Sequence, residues 1–353
     1  MKSKTLSFPF LIIIFSALFF TCKNDDDNNI DMGGNEIPDF YTEGELFACP
    51  SNLIDLSMVS FQINEVFQYS GFIIGGGFEN IVIANANGGD VTEIDSIGVN
   101  QFLEYNGKLM MCAQEGLYSL DPQQNITQEA DNICHSILVS ANGTFLMTGS
   151  DNRILSWDAT QGVTPFTDAH QSNHFELDNL IELNNGELWA TTDGKIARFK
   201  DQLFVDIFDN SNLPINESVA NGNEFLVAYD EGAILLAKNG PTYQILKYTN
   251  TQEWVFLFDS ENAPNSDETI AITQPSITGV LIYEDKLYVS TTIASCKGFQ
   301  VFDITKDELL APEDYFPQFD SNFDDHCING LSYGASGDIF TIAGNQVLIY
   351  DCD

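Results

Sequence analysis

Four histidines and several aspartates fall in the polar segments between predicted strands, and these residue types can bind metals or exchange protons. The set comprises His135, His170, His174 and His326, with Asp168, Asp178, Asp324 and Asp325 beside them. Imidazole nitrogens and carboxylate oxygens bind divalent cations, and histidine exchanges a proton near neutral pH. His170 and His174 are four positions apart but lie outside any predicted helix, so their spacing does not by itself indicate a metal site. The alternative is that the histidines are solvated loop side chains on separate repeats.

The strands between these segments form a pattern that occurs seven times. Each copy has an apolar strand, a tight turn and a second apolar strand, as in "NLIELNNGELWATT". The turn residues lie 36 to 53 residues apart, a period typical of propeller blades: Gly71, Gly107, Gly143, Gly186, Gly232, Asp285 and Gly337. A third strand follows each pair, and six copies add a fourth that ends in aspartate: Asp95, Asp131, Asp168, Asp209, Asp259 and Asp320.

Alternating hydrophobicity with Gly, Asn and Asp turns predicts strands, and four short antiparallel strands repeated seven times predict an all-β, seven-bladed β-propeller. The last copy lacks a fourth strand, whereas "SNLIDLSMVS" near the N-terminus is strand-like and contains Asp55. We therefore expect this N-terminal strand to complete the last blade. The propeller is assigned to residues 49–353, and a two-domain sandwich is the alternative fold. The strand-ending aspartates are expected to accept backbone N–H bonds in the turns that follow them.

The N-terminus reads as an export signal rather than as part of the fold. Lys2 and Lys4 precede an apolar run from Leu6 to Phe20, which is too short for a membrane span of about 20 residues. The run ends at Cys22, and "CKNDDDNNID" follows. These residues resemble the signals of surface-exposed Bacteroidota lipoproteins, which implies a signal peptide at 1–21, lipidation of Cys22 and an outer-membrane, cell-surface location. Residues 22–48 would then be a flexible acidic tether, and a plain cleaved signal peptide is the alternative.

The fourth copy is similar to a known family of propeller repeats. Its "NGELWATT" and the later "NSNLPINES" resemble the two-component-regulator propeller repeats of bacterial sensor proteins. Other copies have Met, Phe or Tyr at the position of Trp189, as at Met110, Phe340 and Tyr288. The resemblance implies a sensing or binding scaffold without its own catalytic output.

Charge and cysteine content limit the partners and the compartment. Asp and Glu total 52 against 13 Lys and Arg, a net charge of −39 that repels phosphate backbones and excludes nucleic acid as a partner. Six cysteines beyond Cys22 indicate disulfides in an exported chain. Equivalent positions in the repeats predict Cys112–Cys134 and Cys296–Cys327, which leaves Cys49 to pair with Cys352. Free buried thiols are the alternative.

The binding site is predicted on the face that carries the loops from each fourth strand to the next first strand. These loops lengthen along the chain, and binding residues concentrate in loops. Polar residues at the starts of first strands would form the rim of an axial channel, and the predicted ligand-binding set is Asn64, Asn100, His135, His174 and Asn179. No cofactor is predicted, although Ca²⁺ could bridge an anionic ligand to the acidic rim.

Three functions fit these observations. The main one is a surface-anchored monomeric propeller that binds a glycan, a peptide or an outer-membrane protein and contacts the membrane only through its lipid. The second is a polysaccharide lyase or glycoside hydrolase that uses the loop histidines. The third is an assembly subunit of an outer-membrane complex. No Gly-x-Ser-x-Gly, HExxH, P-loop or dinucleotide motif is present, which favours a binding protein over an enzyme of those classes.

Overall fold

The computed structural model describes residues 47, 49–170, 176–192, 195–208, 213, 225–230, 232–239, 242–249, 251–259, 276–292, 299–306, 313–315, 328–334 and 337–352. These residues form seven four-stranded antiparallel sheets, which confirms the predicted seven-bladed propeller. The propeller lies within the compact unit Asp39–Asp353. No helix in the described part of the chain is long and apolar enough to cross a bilayer.

In the first six blades the strands follow chain order from the axis outward. After an initial strand β1 (Ser51–Asp55), the first three blades are β2 (Glu65–Tyr69), β3 (Phe72–Gly76), β4 (Asn80–Asn85) and β5 (Thr92–Asp95); β6 (Val99–Tyr105), β7 (Lys108–Ala113), β8 (Gly116–Leu120) and β9 (Ile126–Ala130); and β10 (Ser136–Val139), β11 (Phe145–Thr148), β12 (Leu155–Asp158) and β13 (Gly162–Pro165).

The fourth, fifth and sixth blades have the same order, and the seventh blade takes three of its strands from the C-terminal part of the chain. They are β14 (Leu180–Glu182), β15 (Leu188–Thr192), β16 (Lys195–Lys200) and β17 (Leu203–Phe208); β18 (Phe225–Tyr229), β19 (Gly232–Asn239), β20 (Thr242–Tyr248) and β21 (Trp254–Asp259); β22 (Ser276–Tyr283), β23 (Lys286–Thr292), β24 (Phe299–Asp303) and β25 (Glu313–Tyr315); and β26 (Ile328–Tyr333), β27 (Ile339–Ala343) and β28 (Gln346–Tyr350).

The N-terminal strand closes the ring. Strand β1 is the outermost strand of the seventh blade and pairs antiparallel with β28, from Ser51 opposite Tyr350 to Asp55 opposite Gln346. A Cys49–Cys352 disulfide ties the two chain ends beside this pairing. Phe47, which the sequence assigns to the tether, is part of the propeller core. Closure therefore combines a strand ladder, a covalent bond and buried aromatic packing.

Tight turns between first and second strands explain why the repeat is visible in the sequence. Six of the seven predicted turn residues have positive φ, including Gly71 at 82° and Asp285 at 62°; Gly232 instead begins β19. In the second blade Asn106 and Gly107 both have positive φ, as a type I′ hairpin requires. Glycine adopts this backbone without a steric penalty, so the turns select it.

The hydrophobic core is divided among the interfaces between blades. Seven clusters of buried side chains are described, each shared by two neighbouring blades. Between the sixth and seventh blades, the Phe47 ring centroid lies 4.7 Å from those of Tyr288 and Tyr350. Burial of apolar side chains at every interface removes the edge that an open sheet would expose.

A second disulfide joins the second and third blades. Cys112 on β7 is bonded to Cys134, which precedes β10, and both side chains are fully buried. Two of the three expected disulfides are thus present in the structure. Cys296 and Cys327, the third expected pair, lie outside the described residues, as does Cys22.

In the described ranges, the recurring bond from an aspartate to the turn that follows it is found at third strands. Among the fourth-strand aspartates, the Asp55 carboxylate accepts a 2.9 Å bond from the Ser57 N–H, as predicted. The recurring bond follows β8, β12 and β24, where Asp121, Asp158 and Asp303 accept backbone N–H groups two residues later. Short turns between third and fourth strands need such caps because they leave backbone donors unpaired.

Candidate functional site

A cavity of about 650 Å³ follows the axis of the propeller and is lined by the innermost strands. These strands begin on the side where β3 connects to β4 and where each blade connects to the next; we call this side the loop face. Polar lining residues concentrate at this end: Glu65, Asn100, Gln101, His135, Ser136 and Asn179. A concave space with convergent polar groups is the usual form of a small-ligand site.

The cavity contains three of the five residues predicted to bind ligand. Asn100, His135 and Asn179 lie at the starts of the first strands of the second, third and fourth blades and line the cavity. Asn64 lies one residue before β2, where its N–H donates to Gly76 O at 2.8 Å, and it is not among the lining residues. His174 lies outside the described residues.

His135 is held at the cavity wall by backbone and side-chain contacts. Its N–H donates to Thr148 O at 2.9 Å, and its Nδ1 lies 2.8 Å from Asp178 Oδ1. The Thr148 hydroxyl in turn donates to Asp178 O at 2.8 Å. Glu176 adds a more distant carboxylate, 3.8 Å from His135 Nε2. The hydrogen bond to Asp178 raises the pKa of His135, and this effect exceeds the opposing effect of partial burial.

Bonds between blades fix the polar groups around His135. The Asn100 amide donates to Cys134 O at 2.8 Å, which joins the second blade to the third. The Gln101 side-chain oxygen accepts from the Ser136 hydroxyl and from the Ile137 N–H, both at 2.9 Å. These bonds hold the cavity wall in one geometry, so a ligand would meet prearranged polar groups.

Glu65, Gln101 and Ser136 are polar lining residues that sequence reasoning missed, and Glu65 is the acidic one. It is the first residue of β2, its side chain is half-buried, and burial raises the pKa of its carboxyl to about 8. In the described part of the chain no hydrogen bond or ion pair to the Glu65 carboxylate is present. Its position two residues into "NEVFQY" was visible in the sequence, but only ring closure shows that the strand faces an axial cavity.

The predicted histidine cluster does not assemble as a metal site among the described residues. No group of three or more His, Cys, Asp or Glu side chains in the described ranges is placed to hold an ion. His170 is buried and contacts the Phe204 ring with centroids 6.2 Å apart, so it packs between blades rather than at the cavity. His326 lies outside the described residues.

Comparisons with known proteins agree on the fold. No protein-family model matches the chain, and no curated protein matches it in sequence. Among solved structures, the extracellular domain of a putative hybrid two-component system from B. thetaiotaomicron has a TM-score of 0.59 at 10% identity over 86% of this chain. A catalytically inactive variant of virginiamycin B lyase from Staphylococcus aureus, with quinupristin, has a TM-score of 0.60 at 12% identity, covering 86% of this chain and 99% of that one.

A third similar structure is YCF48 bound to D1 peptide, with a TM-score of 0.58 at 11% identity, covering 86% of this chain and 97% of that one. The chain spans only 43% of the two-component-system chain that it resembles. Identities at this level show a shared propeller fold.

Proposed function

We propose that the protein is an exported binding propeller that takes its ligand into the axial cavity from the loop face. The observation that carries the proposal is the cavity itself, with Asn100, His135 and Asn179 converging at one end. Amide and imidazole groups recognise hydroxyl-rich molecules or peptide backbones through hydrogen bonds, and an apolar ligand would displace water from these groups without replacing its hydrogen bonds.

Two of the similar structures support a binding role. One is the extracellular domain of a two-component system, and another is bound to a peptide. Propellers serve many unrelated functions, so this support rests on analogy. The proposal for this chain rests on its own cavity.

The binding test compares the cavity with the opposite face. Recombinant protein is applied to arrays of defined glycans and defined peptides, and the best-bound probe is then measured in solution. Replacing His135 and Asn179 together by alanine should weaken binding at least tenfold, because two polar contacts worth about 1 kcal/mol each are lost. The matched control replaces Gln123 and Gln161, which are exposed in turns between third and fourth strands on the opposite face.

The melting temperature of each variant shows whether the fold has been kept. The proposal is wrong if the cavity variant folds and binds like the unaltered protein while the opposite-face variant loses binding. It is also wrong if both variants retain full affinity.

Surface anchoring is a further part of the proposal. The lipoprotein-like signal before Cys22, the acidic run after it and two disulfides in the structure support an exported, lipid-anchored protein on the outer membrane. Cys22→Ser should abolish labelling by a fatty-acid analogue and release the protein from the membrane fraction. A variant that remains labelled and membrane-bound would refute the anchor.

The His135–Asp178 contact favours an enzyme as the second candidate. A histidine whose pKa is raised by a carboxylate, at the wall of a cavity, can act as a general acid or base. The class is a polysaccharide lyase or glycoside hydrolase, which turnover assays on polysaccharide panels would detect. Turnover that disappears in His135→Ala, while probe binding persists, would support the enzyme over the binding protein.

A further inference from the structure

We infer that the axial cavity selects ligands carrying an organic cation, such as a lysine or arginine side chain of a peptide, and that Glu65 is the residue that recognises it. The inference rests on the proposed function, because it names the ligand chemistry of the same cavity.

The first observation is the position of an acid without a partner in a concave site. Glu65 begins β2 at the loop-face end of the cavity, and its carboxylate has no hydrogen bond or ion pair among the described residues. A half-buried carboxylate without a partner is costly to ionise, and a charged N–H donor relieves that cost. The cavity therefore gains more from a cationic ligand than from a neutral one of the same shape.

The second observation is the composition of the rest of the wall. No lysine or arginine lines the cavity along the described strands; the other titratable lining residues are Glu104, His135 and Tyr333. Glu104 and Tyr333 lie near the ends of β6 and β26, toward the opposite face. Asp178 and Glu176 contact His135 and add negative charge at the loop face.

The third observation is that neighbouring hydroxyls already have partners. The Thr278 hydroxyl donates to Ile328 O at 2.8 Å, and the Ser332 hydroxyl donates to Val66 O at 3.3 Å. Both hydroxyls are thus directed at the propeller backbone rather than at Glu65. The carboxylate remains available to accept N–H bonds from a ligand.

The net charge of −39 attracts cations at long range but does not determine where on the protein a cation binds. A peptide side chain fits better than a free metal ion, since an ion needs several ligands and the described residues offer no cluster of three. A peptide also uses the amide groups at the cavity mouth.

The test uses two probes that differ only in the ammonium group: N-acetyl-lysine methylamide and N-acetyl-norleucine methylamide. Binding is followed by NMR of protein carrying ¹³C-labelled glutamate carboxyls, which reports on Glu65 itself. At pH 8 the lysine probe should bind at least about tenfold more tightly, as expected for one charge-assisted hydrogen bond. Glu65→Gln, which keeps shape and removes charge, should make the two probes equal.

Glu104→Gln is the matched control, because it removes one negative charge from the same cavity near its other end. It should leave the preference for lysine nearly unchanged. A preference lost equally in Glu104→Gln would show that the general acidic field, not Glu65, selects the ligand, and would overturn the inference.

A pH series of the unaltered protein tests the same point without any substitution. The lysine probe stays protonated to about pH 10, whereas Glu65 ionises as the pH rises. The preference of the protein for the lysine probe over the norleucine probe should therefore rise between pH 6 and pH 9. His135, whose pKa Asp178 raises, also loses a positive charge as the pH rises and acts in the same direction, so Glu65→Gln must remove most of the rise. A flat series, or a rise that survives in Glu65→Gln, would overturn the inference.

The two levels of the argument fail differently. If array ligands bind in the cavity and the charged and neutral probes bind equally, the role of Glu65 is wrong and the proposed function stands. If no probe or array ligand shifts any signal from the cavity, both are wrong.

Discussion

Removal of the Cys49–Cys352 bond should cost more stability than removal of Cys112–Cys134. The bonds join residues separated by 303 and 22 positions. In the loop-entropy model each disulfide lowers the entropy of the unfolded chain, which raises the free energy of unfolding by about 5.7 kcal/mol for Cys49–Cys352 and about 3.4 kcal/mol for Cys112–Cys134. For a propeller of some 300 residues these values correspond to decreases in melting temperature of about 9 °C and about 5 °C.

The native state explains why the difference should survive in practice. The five residue pairs between β1 and β28, together with buried Phe47, keep the ring closed in the folded protein. The bond therefore acts chiefly on the unfolded chain. The assay is calorimetry and guanidinium unfolding of the two double serine variants, Cys49→Ser with Cys352→Ser and Cys112→Ser with Cys134→Ser.

Each double variant is the control for the other, since both exchange one disulfide for two hydroxyls. Mapping of disulfide-linked peptides in the unaltered protein establishes which bonds are present, including the expected Cys296–Cys327. A Cys49/Cys352 variant at least as stable as the Cys112/Cys134 variant would refute the reasoning. It would show that strand pairing or local fraying, not chain entropy, sets the contribution of the Cys49–Cys352 disulfide.

Three other substitutions test the packing and electrostatics of the cavity wall. Asp178→Asn should lower the pKa of His135 in an NMR titration. The His135–Asp178 pair stabilises the fold below pH 6.5, and this stabilisation is lost as the pH rises through the pKa of His135 in the folded protein. The substitution should reduce that stabilisation. Gly279→Ala should lower stability by about 1–3 kcal/mol in chemical denaturation, because its Cβ would lie 2.7 Å from Leu331 Cβ on the next blade. Glu65→Gln should raise the free energy of unfolding at pH 9 by at most about 5 kcal/mol, because the raised pKa of Glu65 makes its ionisation in the folded protein costly above pH 4.5. At pH 4 the substitution should leave stability unchanged. A variant that melts at the same temperature as the unaltered protein at both pH values would contradict the burial of this carboxyl.

The fold was predictable because the repeat depends on features of residues that are adjacent in the sequence. Positive-φ turns such as Asn106–Gly107 recur with short alternating strands, and both features depend on neighbours in the chain. Closure by β1 was also predictable, since the last repeat lacked one strand and the first segment supplied it. The role of third-strand aspartates was less visible, because Asp121 and Asp158 bond to turns that differ in sequence.

The candidate site was predictable only in part because its cavity is lined by seven distant segments. The polar starts of first strands indicated Asn100, His135 and Asn179, and all three line the cavity. Glu65 was missed because side-chain direction relative to the axis depends on strand register within the ring. His170 shares a loop position with the other histidines, yet tertiary packing buries it against Phe204.

Hydrogen–deuterium exchange of a ligand complex tests the central claim most directly. With the best-bound array ligand at saturation, protection should appear in peptides covering the starts of β6, β10 and β14, which include the segments around Asn100, His135 and Asn179. Peptides covering the turns at residues 121–125 and 158–162 on the opposite face should exchange as in the free protein. Protection confined to those opposite turns, with none at the strand starts, would contradict an axial binding site on the loop face.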